Sequence, residues 1–150
     1  TKSNQRAVFG GGGIMPDFFI PLDTTRVSDF YSRLMRRGIM NHFGIEYTNR
    51  KRQELSALYP DVNTFIEDFS ITESLLNELY DYAAGHDLKP DEDTSELEMT
   101  FLKNQLKGFI ARNLFDFEAY TQVIMQSDDA FQKAIYIIEN DTFEEMNIRY

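Results

Sequence analysis

At 150 residues and 17.5 kDa the chain is long enough for one helical domain with a real core, burying roughly two-thirds of its unfolded surface. A hydrophobic content of 42% with 13 Phe and 8 Tyr argues for a packed aromatic interior rather than disorder, and the lack of cysteine excludes disulfides and thiolate metal sites. A net charge of −10 argues against general nucleic-acid binding, which rests on neutralising phosphates, and no apolar run approaches the roughly 18 residues that a membrane span needs.

The charge is unevenly spread. Residues 1–52 hold nine Lys/Arg against four Asp/Glu, whereas residues 53–150 hold six against twenty-one. A basic part packed on an acidic surface is one reading of this polarity; a solvated helix face is the simpler one.

The first element in chain order is Arg6–Pro21, RAVFGGGGIMPDFFIP. Ala7-Val8-Phe9 and Phe18-Phe19-Ile20 are β-branched or aromatic runs too short for helices, so they read as strands. Pro16 fixes its own φ and pushes Met15 toward an extended conformation. Each ordered glycine costs roughly 0.5–1 kcal/mol of extra chain entropy relative to Ala. Four in a row are therefore worth ordering only where backbones approach closely or φ is positive. A flexible linker is the competing reading. A phosphate-cradling loop is disfavoured because no Gly-Lys-Ser/Thr and no helix start follows.

After Pro21-Leu22-Asp23-Thr24-Thr25, which breaks the extended pattern and offers cap residues, the chain turns helical throughout. Val27, Tyr31, Met35, Ile39, Phe43 and Tyr47 recur at i+4, with Phe30 and Leu34 beside them. A bend or break is expected near Gly38, and strict heptads are absent. Asp61 caps a helix with Val62, Phe65, Ile66 and Phe69 on one face. Ser70-Ile71-Thr72-Glu73 has capping-box spacing before a helix with Leu75, Leu76, Leu79, Tyr82 and Ala83 inward, ended by Gly85. A second capping box, Ser95-Glu96-Leu97-Glu98, opens a helix burying Leu102, Leu106, Phe109, Ile110 and Leu114. Asp116 caps a shorter helix with Phe117, Tyr120, Val123 and Ile124. Ser127 or Asp128 caps the last, with Phe131, Ala134, Ile135 and Ile138 inward. The expected fold is mainly α, with five to seven helices after a strand–Gly loop–strand segment, divided at residues 1–23 and 24–150.

The run Arg6-x-Val8-Phe9-Gly10-Gly11-Gly12-Gly13-Ile14-x-Pro16-Asp17 resembles the segment that closes the catalytic domain of carboxyl-terminal processing (tail-specific) serine proteases. Gln5 stands where that family usually has Gly. Leu106-Lys107-Gly108-Phe109-Ile110-Ala111-Arg112-Asn113-Leu114 is similar to the helical tail of one bacterial branch. About 20 residues carry the first match. The resemblance implies that Arg6, Gly10, Gly11, Gly12, Gly13, Ile14, Pro16 and Asp17 are structural, and that a serine–lysine dyad lies upstream of Thr1. It further implies a periplasmic or cell-envelope parent acting on protein or peptide substrates. The helices would frame substrate access, support dimerisation or dock an adaptor. The chain starts without Met inside an expected strand, so it reads as the C-terminal piece of a longer enzyme, and a missing signal peptide at Thr1 says nothing of export.

Within the chain itself no nucleophile–base pair stands out, so no catalytic residue, metal ligand or cofactor site is expected and the piece alone should be inactive. Ser70 and Ser95 read as caps; Ser28, Ser32, Ser56 and Ser74 fall on or near helix faces. His42 and His86 have no second histidine at ligand spacing. Asp91-Glu92-Asp93 with Glu96 and Glu98 fails the calcium-loop template, whose required Gly falls at Glu96 and whose last ligand falls at Leu102. Arg36-Arg37 and Arg50-Lys51-Arg52 are the candidates for holding a substrate's terminal carboxylate, with ordinary surface pairing as the alternative. The competing functional reading is a free-standing helical interaction module.

Overall fold

The computed structural model describes residues 18–20, 28–90 and 95–140. Among them are seven helices and no strand: α1 (Asp29–Arg36), α2 (Ile39–Leu58), α3 (Val62–Asp68), α4 (Glu73–Ala84), α5 (Glu96–Leu114), α6 (Phe117–Met125) and α7 (Asp129–Glu139). The mainly helical expectation is met. Of the Arg6–Pro21 segment only residues 18–20 are described. They have no strand geometry, and Phe19 is 79% exposed.

The chain divides into two compact units, one of residues 23–127 and one of residues 1–22 with 128–150. The larger contains α1 to α6. Gly38 ends α1 and begins α2 at once: its N–H donates to the Met35 carbonyl and its own carbonyl accepts from His42 N–H, while its φ is +68°. No atom lies within 4 Å of where a Cβ would sit, so the case for glycine is the backbone alone. An L side chain in this left-handed region costs about 1–2 kcal/mol. The break resets the helical phase. Phe30 and Leu34 are buried while Tyr31 and Met35 are half-buried, and on α2 the core takes Ile39, Met40, Phe43 and Leu55. The i+4 stripe therefore does not run through unbroken.

Side-chain caps set most helix starts. Asp61, Thr72, Ser95 and Asp116 accept from the N–H groups of Thr64, Leu75, Glu98 and Ala119, each satisfying a donor with no intrahelical partner. Asp61 accepts from both the N–H and the hydroxyl of Thr64, and these bonds hold its carboxyl below the usual range. Thr72, not Ser70, caps α4; the box spacing placed the start two residues early, and Ile71 between them is buried. The end of α4 also differs from expectation. Gly85 keeps a right-handed φ of −63°, and the left-handed residue is Asp87, at φ 56°. Leu88 N–H reaches the Ala83 carbonyl and Asp87 N–H the Ala84 carbonyl, a Schellman stop whose apolar member, Leu88, is buried.

α2 and α5, of 20 and 19 residues, span roughly 30 Å each at 1.5 Å per residue and pack on one another. Their faces are kept low where neighbours come closest. A Cβ on Gly44 would lie 3.1 Å from the Cβ of Phe109, and one on Gly108 would lie 2.9 Å from the Tyr120 ring on α6. α4 adds Leu75, Leu76, Leu79 and Ala83, and α5 adds Leu102, Leu106, Ile110 and Ala111. Phe109, Leu114 and Tyr82 pack against this core half-buried. α6 contributes Ala119 and Val123. Phe117 is 65% exposed instead of inward, its ring covered by the Arg112 guanidinium at 5.7 Å and stacked on Tyr120.

Thr48 is the one polar residue of α2 that lies fully buried, and its hydroxyl has no hydrogen-bond partner. A buried unpaired hydroxyl costs about 1–3 kcal/mol. Thr48→Val keeps the branched shape and should raise stability by about 1 kcal/mol. A urea midpoint equal to or below that of the parent chain would contradict this.

In the smaller unit, α7 is capped by Asp128, which accepts from Phe131 N–H. The expected inward face is corrected here: Phe131, Ala134, Ile135 and Ile138 are exposed, Ile138 at 64%, and Ile137 is buried. Helical periodicity says which residues share a face, not whether anything covers it.

Candidate functional site

The motif residues Arg6, Gly10, Gly11, Gly12, Gly13, Ile14, Pro16 and Asp17 lie outside the described residues, as does Asp91-Glu92-Asp93. The basic candidates are described, and each has an internal partner. Arg36 Nε donates to the Ser32 carbonyl and Arg37 to the His86 carbonyl at 2.7 Å. Arg50 pairs with Glu78, Lys51 with Glu54, and Arg52 donates to the Asn113 carbonyl and Asn49. For these five cations the structure favours ordinary pairing over a ready carboxylate clamp. Exposed pairs of this kind contribute little to stability. His42, on α2, and His86, in the turn after α4, are exposed, with the His86 ring 4.8 Å from that of Tyr82. Among the described residues no group of three or more His, Asp or Glu could hold a metal ion, and no helix is long and apolar enough to cross a membrane.

The principal polar cluster joins α1, α5 and α6. Ser28 is the N-cap of α1, not a face residue: its hydroxyl oxygen accepts from Tyr31 N–H and its proton goes to the Glu98 carboxylate. Glu98 is only 4% exposed, although it stands in the first turn of α5, where a negative charge meets the positive end of the helix dipole. Its carboxylate thus both complements α5 and holds α1 in place. Glu98 and Tyr120 both act electrostatically on the Tyr31 hydroxyl, and Tyr120 donates to Gln105 Oε1 at 3.0 Å. The Ser28–Glu98 pair spans 70 residues of sequence. The only local hint is that Glu98 closes a capping box whose carboxylate was expected to serve its own helix end.

Tyr31 also lines an open groove of about 570 Å³ with Asp29, Ser32, Met35 and Arg36. These residues offer a phenol, a serine hydroxyl, a thioether and a guanidinium. Asp29 is engaged by Arg33. Among the described lining residues there is neither an imidazole nor an amine. The chemistry these described side chains offer is hydrogen bonding to a polar surface.

Burial, then Tyr120, then Glu98 push the Tyr31 hydroxyl from 10.0 up to about 12. A group whose folded pKa is raised contributes stability that is complete below the unfolded value and lost as pH rises through the folded one. The chain should therefore lose stability between about pH 10 and 12, and Tyr31→Phe should reduce the slope of that loss. Denaturation midpoints across this range provide the test, and an unchanged slope in the variant would contradict the assignment.

A model of a family of unknown function, DUF8443, matches residues 30–116, from α1 to the cap of α6. No curated protein matches, and neither does any solved structure.

Proposed function

The chain belongs to DUF8443, a family of unknown function, and we propose, on the sequence resemblance alone, that it is the non-catalytic C-terminal region of a serine-type C-terminal processing endopeptidase of the cell envelope. The observation that carries the reading is the sequence run Arg6, Gly10–Gly13, Ile14, Pro16 and Asp17, in that succession, ahead of a body whose described residues form seven helices. The family match lies within that body and leaves the run outside it. In this reading residues 1–23 complete the protease core, and the helices frame substrate access, dimerise or dock an adaptor. Peptide-bond hydrolysis belongs to an upstream serine–lysine pair.

A free-standing helical interaction module is the second reading. It is favoured by a specific feature: residues 23–127 form a compact unit whose core, from Phe30 to Val123, draws on all six of its helices.

Two measurements separate them. The reading frame upstream should encode a PDZ-like domain and serine–lysine motifs. The product of the whole frame should cleave an unfolded protein or a C-terminally tagged peptide, while residues 1–150 alone should not. A frame without those motifs leaves the module reading. Turnover by the isolated chain that survives repurification and disappears on replacing one of its own serines overturns the non-catalytic assignment.

A further inference from the structure

We draw no further inference here: the strongest candidate, the exposed apolar ridge of Leu97 and Phe101 on the N-terminal half of α5, consists of two side chains, and nothing in the structure shows what covers it.

Discussion

Phe65→Ala should destabilise the helical body by about 3–5 kcal/mol, the range for a fully buried phenylalanine. Phe65 has no exposed surface and sits at the centre of an aromatic group. Its ring stacks on Phe69 at 4.5 Å and meets Tyr59 and Phe115 edge-on at 5.5 and 5.8 Å. Tyr59 also meets Phe69 edge-on. These rings come from the end of α2, from α3 and the residue after it, and from the end of α5. Removing one ring therefore opens a cavity at a junction of three elements. Aromatic pairs of this geometry add about 0.5–1.5 kcal/mol beyond area alone, so the effect should lie toward the upper part of the range. By contrast Phe117→Ala, at an exposed ring, should change the midpoint little. Urea denaturation of the two variants side by side supplies the check. A Phe65→Ala midpoint matching that of Phe117→Ala would show that the junction does not hold the fold.

What could be read in the sequence, and what could not, divides along a physical line. Features written within one or two helical turns were legible: the caps Asp61, Ser95 and Asp116, the break at Gly38, and the apolar face of α4. Each is a local contest between backbone and side chain, and neighbouring residues decide it. Choices between two nearby candidates were less legible. Ser70 and Thr72 are both good caps, and burial of Ile71 between them favours the later start. Gly85 looked like the helix stop, but the buried Leu88 comes with the left-handed residue at Asp87. Contacts across the chain left almost no local trace. Nothing near Ser28 announces Glu98, and nothing near Lys107 announces the carbonyls of α3. The face of α7 shows the same limit, since its periodicity says which residues share a face and not whether that face is covered. As for the site, the proposed resemblance at Arg6–Asp17 rests on the order of residues rather than on any fold-level signal. The polar cluster around Glu98 is visible only in three dimensions.

Lys107→Met should lower stability by about 2–3 kcal/mol and loosen the α3 corner first. Lys107 reaches from α5 to the carbonyls of Ile66 and Phe69 at 2.7 and 2.6 Å, with its ammonium 5.8 Å from the centre of the Phe65 ring. These carbonyls belong to the C-terminal end of α3, where orphan acceptors and the negative end of the dipole favour a cation. Burial acts against the charge and draws the Lys107 pKa below its ordinary 10.5. Hydrogen bonds to a charged group are worth about 1.5–3 kcal/mol each. Two of them, offset in part by that desolvation and discounted for a half-buried site, set the scale of the expected loss. Methionine retains much of the apolar stem but gives both carbonyls nothing to accept. Lys107→Arg keeps the charge and should recover part of the loss. Hydrogen exchange then separates this corner from a general weakening. The amides of α3 and of Phe69, whose N–H donates to the Phe65 carbonyl, should lose protection before those of α4. Lys107→Met with an unchanged midpoint, or with protection lost evenly across α3 and α4, would mean that the ammonium does not hold this corner.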